Sequence, residues 1–178
     1  MSKSKFNEYG KPIVVLTLIC LVVTAALAFT YDFTKPIIDA INERIANETR
    51  ASVLPEGTSF TQSDAALADG VIEVYVADNG AGMVVTSAAK GFGGDITVMT
   101  GIDANGKITG VSVTSHGETP GLGTKAMTET YLANYQGLDE AVLGTTIDGV
   151  TGATYSSRGI CNAVAMALAQ FEKMGGAF

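Results

Sequence analysis

The sequence predicts the α+β class, with a mostly antiparallel sheet, flanking helices and one preceding N-terminal transmembrane helix. Three observations predict this fold. Residues 13–29 form an uncharged apolar run, residues 71–115 contain short strand-like segments separated by turns, and helical segments lie on either side of those strands. Strands joined in consecutive hairpins are typical of an antiparallel sheet, and a length of 178 residues suits one such domain.

The apolar run is long enough to cross a membrane. A spanning helix needs about 20 mainly apolar residues, and we predict the span at residues 12–31. Lysines precede the run, and basic residues concentrate on the cytoplasmic side of a span. We therefore expect residues 1–11 in the cytoplasm, a single pass through the cell (inner) membrane, and an extracytoplasmic main domain.

A cleaved signal peptide is the alternative interpretation of this run, because Ala26-Leu27-Ala28 resembles a small-residue cleavage site. The apolar stretch of a usual signal peptide is shorter, about 7–15 residues, which favours a retained anchor. The chain is acidic, with a net charge of −7, which argues against nucleic acid as a partner. Cys20 in the run and Cys161 in a later helical segment predict no disulfide.

A stalk helix is predicted at residues 34–54, continuing from the span. Thr34 is a suitable N-cap, and Pro36 falls in the first turn, where proline is tolerated. Pro55-Glu56-Gly57 ends the helix. Isoleucines recur along it at helical spacing: Ile37, Ile38, Ile41 and Ile45.

The extracytoplasmic domain is predicted at residues 58–178 and begins with a Ser/Thr/Asp-rich link at 58–70. The periodicity of the side chains then predicts its elements. Strands are expected at residues 71–77, 83–89, 96–102 and 107–115, with turns at 78–80 and 103–106. A short helix is expected at 124–135 and a longer, amphipathic one at about 156–173.

The first segment that could carry chemistry is DGVTGATYSS, at residues 148–157. Its Gly-containing turn delivers Thr154 just ahead of the last predicted helix. A helix N-terminus presents free N–H groups and partial positive charge, so a phosphate esterified to Thr154 is stabilised there. Ser156, Ser157 and Arg158 add hydroxyl donors and positive charge. The alternative is an ordinary helix cap, a position that Thr and Ser prefer.

The second segment is SHGETPGLGTK at residues 115–125. Its proline and glycines predict a sharply turned loop with exposed N–H groups, which can press on a planar ligand. The alternative is a plain strand-to-helix connection capped by Thr119 or Thr124. His116 is the one histidine of the sequence and has no cysteine partners, so no metal site is predicted. An acid/base pair of His116 and Glu118 is a further interpretation.

The sequence DGVTGAT resembles the flavinylation motif of FMN-binding-domain proteins, in which Asp precedes Ser or Thr, Gly, Ala and Thr. In that family, an FAD:protein FMN transferase esterifies the last threonine and releases AMP. The resemblance implies FMN bound covalently through its phosphate to Thr154. It also implies that Thr151, Gly152 and Ala153 contact the cofactor and that Asp148 serves transferase recognition.

The loop HGETPGLG resembles a signature of the G subunits of Rnf electron-transport complexes and of the similar C subunits of Na⁺-translocating NADH:quinone reductases. Residues 90–96 and 101–103 fit the same family, and the compact length favours the Rnf G subunits. The resemblance implies that the loop lies near the isoalloxazine ring. The cofactor-binding residues that it implies there are Glu118, Thr119, Leu122, Gly123, Thr124 and Lys125.

A function is implied by the same resemblance: a membrane-anchored electron-relay subunit of an ion-translocating ferredoxin:NAD oxidoreductase (Rnf) complex. The implied partners are the other Rnf membrane subunits, including the second flavin-carrying subunit, and the FMN transferase during maturation. An NAD site is not expected in this chain, because GFGG at residues 91–94 is too short for a Rossmann fingerprint.

Three alternatives stay open. One is a stand-alone extracellular flavin carrier, and another is a membrane-tethered sensor or ligand-binding module without covalent flavin. A pilin-like subunit is the third, since pilins also join an N-terminal apolar helix to a β-rich domain. The Gly-Phe processing site that pilins carry is missing, because Phe6 follows Lys5.

Overall fold

The structure, a computed structural model, describes residues 10–176. The chain forms two compact units, one ending at Ala46 and the other beginning at Asn47. The helices are α1 (Lys11–Val53), α2 (Glu129–Leu132) and α3 (Thr154–Lys173), with 3₁₀ turns at Gly123–Met127 and Ala133–Tyr135. The strands are β1 (Phe60–Gln62), β2 (Val71–Ala77), β3 (Gly82–Lys90), β4 (Asp95–Asp103) and β5 (Ile108–Ser115).

The first unit consists of the greater part of α1, which is long and apolar enough to cross a membrane, with a mean hydropathy of 2.8 in its most apolar window. Two of its hydroxyls are bonded within the helix: Thr17 Oγ1 donates to the Ile13 carbonyl at 2.8 Å, and Thr30 Oγ1 donates to the Ala26 carbonyl at 2.8 Å. Such bonds leave neither hydroxyl unsatisfied in an apolar surrounding.

No helix end falls at Thr34, where the sequence suggested an N-cap. The helix runs through Thr34, and Pro36 lies inside it. The turn before Thr34 already supplies the hydrogen-bonding groups that a cap would replace, and Pro36 removes one backbone hydrogen bond from the interior. The predicted stalk is therefore the C-terminal part of one continuous helix.

The sheet has five strands in the order β1-β2-β3-β4-β5, and all neighbouring pairs are antiparallel. This confirms the predicted fold class. Two details differ from the prediction. The residues 58–70 contain β1, which is only three residues long and therefore too short to show periodicity. Residues 124–135 form two 3₁₀ turns and the one-turn helix α2, because Thr128 is extended and caps α2 through a hydrogen bond from the Tyr131 N–H.

Both faces of the sheet are covered. Helix α3 packs on one face, mainly against β3 and β4, and Val85, Val98 and Ile160 are among the buried residues there. Val53 and Leu54, at the end of α1, pack on the other face with Val84 and neighbouring residues. Burying one such side chain stabilises the fold by about 1.5–3 kcal/mol. The double coverage explains why β3 is buried along nearly its whole length.

Arg50 attaches the last turns of α1 to the sheet within the second unit. Its guanidinium carbon lies 3.5 Å from the centroid of the Tyr75 ring. Nη1 donates to Asn47 Oδ1 at 2.7 Å, and Nη2 lies 3.8 Å from Glu73 Oε1. Arg50 is buried, and a buried charge is tolerated only with partners of this kind.

Candidate functional site

The N-terminus of α3 presents an exposed threonine. Thr154 is the first residue of the helix, and Ala153 occupies the N-cap position without a side-chain cap. The cap interpretation of Thr154 is therefore wrong. Since the first N–H groups of a helix have no partner within it, a 20-residue helix begun in this way offers donors and partial positive charge to an anion beside Thr154.

Two hydrogen bonds stabilise the turn before the helix. Ser157 Oγ accepts the Val150 N–H at 3.0 Å, and the Ala153 N–H donates to the Val150 carbonyl at 2.9 Å. Gly152 has a φ of 82°, which favours glycine, and a side chain there would meet open space. The approach to Thr154 from this side is therefore unobstructed, as the sequence suggested.

Glu118 connects three segments of the site. Its Oε1 accepts the Phe92 N–H at 2.7 Å and the Gly93 N–H at 2.9 Å, and its Oε2 accepts the Ser156 hydroxyl at 2.6 Å. The carboxylate thereby joins the loop after β3, the loop after β5 and the first turn of α3. Only 5% of Glu118 is exposed.

The hydrogen bonds keep this buried group ionised. Burial by itself raises the pKa of Glu118, but the hydrogen bonds from Ser156, Gly93 and Phe92, together with the nearby His116, bring the pKa below its ordinary value. Both carboxylate oxygens are engaged by protein donors, which disfavours the acid/base pair with His116. The predicted phosphate contacts of Ser156 and Ser157 are also wrong, because both side chains are buried and bonded to Glu118 and Val150 instead.

Two glycines let these segments approach one another. A Cβ on Gly123 would lie 2.8 Å from the Cβ of Glu118 and 2.8 Å from Ser156 Oγ, and a Cβ on Gly93 would lie 2.8 Å from the carbonyl carbon of Gly117. Side chains at these positions would force the loops apart. Glycine at these two positions is thus a packing requirement.

The three segments enclose a cavity of about 140 Å³ beside Thr154. Seven of the predicted site residues line it: Glu118, Thr119, Leu122, Gly123, Gly152, Ala153 and Thr154. Thr124, Lys125, Thr151 and Asp148 do not line it. Thr124 shapes the loop, since its Oγ1 accepts the Gly121 N–H at 2.8 Å, and the other three side chains do not contribute to the cavity wall.

Sequence reasoning did not assign cofactor contact to two further lining residues, Phe92 and Tyr155. Phe92 stands between glycines, in a loop whose strongest local signal is its glycine content. Tyr155 directly follows the attachment motif. An aromatic residue next to such a motif is a signal that could have identified Tyr155. The position of Phe92 depends on the tertiary contact of its loop with Glu118.

A larger groove, of about 520 Å³, lies along the outer edge of β5 and includes His116 and Glu129 in its lining. It contains none of the residues that surround Thr154. We therefore choose the smaller cavity as the candidate site because of the residues that line it, although its volume is smaller. Within residues 10–176, no group of three or more His, Cys, Asp or Glu side chains is placed to hold a metal ion.

Comparisons with known proteins agree with this site. Residues 91–169, which include the glycine-rich loop, the 118–125 loop and Thr154, match the FMN-binding domain family. The chain is 28% identical to the G subunit of the Na⁺-translocating ferredoxin:NAD⁺ oxidoreductase complex of Acetobacterium woodii, over 97% of this chain and 98% of that protein. It is 26% identical to the proton-translocating counterpart of Clostridium ljungdahlii, over 90% of both chains.

The identity is 30% with the G subunit of the ion-translocating oxidoreductase complex of Methanosarcina acetivorans, over 92% of this chain and 94% of that protein. The similarity thus covers the apolar helix as well as the FMN-binding domain. The predicted resemblance is confirmed, and the chain belongs to the family of G subunits of ion-translocating (Rnf) oxidoreductase complexes.

Proposed function

We propose that this chain carries FMN on Thr154 through a phosphodiester bond and relays electrons within an ion-translocating ferredoxin:NAD oxidoreductase complex. Membership of this family and the FMN-binding domain support a flavin-carrying redox subunit. One observation carries the covalent assignment: Thr154 is an exposed residue at the start of a long helix that has no side-chain cap, and it lines a cavity.

The chain offers a phosphate good surroundings at this position. The free N–H groups of the first helical turn and the helix dipole favour an anion on Thr154, an effect of about 0.3–1 kcal/mol at an exposed site. Arg158, exposed one turn along α3, adds a positive charge. The residues present therefore fit a phosphate ester.

The flavin would supply the redox chemistry, and the protein would supply its position and electrostatic environment. Thr119, Leu122 and Gly123 would bound the space beside the ring, since they line the cavity next to Thr154. Glu118 would act through the segments that it joins. Three further predicted contacts would reach the cofactor only from outside the cavity lining: Thr124, Lys125 and Thr151.

Attachment would occur during maturation by an FAD:protein FMN transferase. The Thr154 oxygen would attack the FMN phosphorus of FAD, the bond to the AMP phosphate would break, AMP would leave, and the hydroxyl proton would pass to a base of the transferase. Asp148 is exposed in the turn before the helix, where a recognition role by the transferase is sterically accessible.

We further propose the orientation of the protein in the cell (inner) membrane. Lysines before the apolar run favour a cytoplasmic N-terminus. The single span, retained in the mature protein, would place the flavin domain outside the cytoplasm. The other Rnf membrane subunits, including the second flavin-carrying subunit, would be its partners.

The attachment is tested with Thr154→Ala and Thr154→Ser, each produced with the transferase. We expect the wild-type chain and, to a smaller extent, Thr154→Ser to show flavin fluorescence in a denaturing gel and a mass increase of one FMN group. Thr154→Ala should show neither, because it lacks the attacking oxygen. Covalent flavin on Thr154→Ala would place the attachment elsewhere, and a bare wild-type chain would overturn the proposed function.

A further inference from the structure

Two aromatic side chains stand exposed at the mouth of the flavin cavity. Among the large hydrophobic side chains described from Asn47 onwards, Phe92 and Tyr155 are the most exposed, at 72% and 62%. Leu122, at 49%, lines the same cavity. Exposed apolar side chains are ordinary when they are scattered, but a cluster around one cavity marks a surface that a ligand covers.

The two rings form a pair, although they come from different parts of the chain. Their centroids are 6.0 Å apart, with an angle of 53° between the ring planes. This separation is within the range of aromatic contacts. Phe92 belongs to the glycine-rich loop after β3, and Tyr155 is the second residue of α3.

Glu118 joins the two segments that carry the rings. It accepts the Phe92 N–H directly, and it accepts the hydroxyl of Ser156, the residue that follows Tyr155. The two segments are therefore fixed relative to each other, which lowers the entropic cost of binding a planar group against both rings. A packing role within the domain does not explain them, because most of each ring faces solvent.

We propose that Phe92 and Tyr155 form an aromatic platform on which the isoalloxazine ring of the Thr154-linked FMN rests. This inference rests on the proposed function. Tyr155 adjoins the attachment residue, so the phosphate end of the tethered cofactor starts beside the platform, and the ribityl chain would carry the ring across it. Arg158, whose guanidinium carbon lies 5.8 Å from the centroid of the Tyr155 ring, adds a cation beside it, where an electron-rich ring edge is favoured.

The test uses the full chain, loaded with FMN by the transferase and purified in detergent. Time-resolved fluorescence anisotropy of the flavin measures the fraction of rings that rotate freely relative to the protein. Aromatic contacts shift such an equilibrium by about two- to tenfold, and Phe92→Ala and Tyr155→Ala should each raise the free fraction by that factor. Accessibility of the flavin to iodide should increase in parallel.

Conservative and matched variants serve as controls. Phe92→Tyr and Tyr155→Phe keep an aromatic ring and should retain the wild-type anisotropy. Ile72→Ala removes an exposed apolar side chain, 52% accessible, from β2 outside the cavity, and should also have no effect. The mass of each intact chain establishes that all variants carry equal amounts of FMN.

The outcomes separate the platform from the attachment. A fully loaded wild-type chain whose flavin already rotates freely would overturn the platform and leave the proposed function intact. Equal anisotropy in wild type, Phe92→Ala and Tyr155→Ala would overturn it as well. A wild-type chain without FMN on Thr154 would overturn both.

Discussion

At the residue scale, the site depends on a contrast between Thr154 and Glu118. Thr154 is exposed and begins a helix, so its hydroxyl is available for modification. Glu118 is buried and bonded to Phe92, Gly93 and Ser156. A buried carboxylate without these donors would be costly, and with them it becomes a strong link. Glu118 therefore determines the shape of the cavity in which Thr154 is presented.

Glu118→Gln tests this link. The amide keeps the volume but presents an NH₂ group to backbone or hydroxyl donors, so we expect a loss of about 1–3 kcal/mol of stability. The measurement is the melting temperature of the full chain in detergent. Glu140→Gln, which changes an exposed carboxylate, should leave the melting temperature unchanged; an equally small effect of Glu118→Gln would refute the link.

The pH dependence of the melting temperatures of wild type and Glu118→Gln gives a second prediction. Because folding lowers the pKa of Glu118 below its ordinary value of 4.5, its carboxylate stabilises the fold fully above pH 4.5. That stabilisation is lost as the pH falls through the lowered pKa. The difference in melting temperature between wild type and Glu118→Gln should thus be constant near neutrality and should narrow below pH 4.5. A difference that widens on acidification would contradict this sign.

At the scale of elements, two paired glycines position the end of α1 on the sheet. Gly101 of β4 and Gly110 of β5 lie opposite each other, and the backbone of Val53 packs against both. Thr109 Oγ1 donates to the Val53 carbonyl at 2.5 Å. The absence of side chains at the two glycines creates the flat surface on which this helix end rests.

Gly110→Ala tests whether the end of α1 packs on this glycine surface. An added Cβ would lie 2.9 Å from Val53 Cα and 2.9 Å from the Val53 carbonyl oxygen, and overpacking of this kind costs about 1–3 kcal/mol. We expect a lower melting temperature and faster proteolysis near the end of α1. Ser112→Ala, two residues along the same strand, is the control. A Gly110→Ala chain as stable as the control would show that the helix end is not seated here.

At the scale of the whole molecule, the chain combines an apolar helical unit with an acidic FMN-binding domain. The described part of α1 before Asn47 has little buried surface, which suits a segment whose apolar side chains face lipid. The domain from Asn47 onwards has its own core on both sides of the sheet. The proposed function would use both parts, the helix for location in the membrane and the domain for the flavin chemistry.

The proposed orientation predicts a labelling pattern. In a Cys20→Ser background, where Cys161 is buried, Asp64→Cys places an exposed thiol on the domain and Asn7→Cys places one before the span. A membrane-impermeant maleimide should label Asp64→Cys in intact cells and Asn7→Cys only after permeabilisation. The reverse pattern would invert the topology.

The sequence by itself determined the class of the fold, the apolar helix and the position of Thr154. These depend on local patterns: an uninterrupted apolar run, alternating strands between turns, and a short motif ahead of an amphipathic helix. Such patterns can be recognised in the sequence because they depend on residues that are close together along the chain. The sequence did not predict the three-residue β1 or the interruption of the helix at 124–135, because their local signals are weak and tertiary packing decides their structure.

Only the tertiary structure decided how the site is assembled. Glu118 bonds to residues 26 positions before it and 38 positions after it, and no periodicity encodes such pairings. The same distant contacts bring Phe92 beside Tyr155 and direct Ser156 inward. The proposed attachment point could therefore be predicted from one segment. The cavity exists only because three segments, separated along the chain, meet around one buried carboxylate.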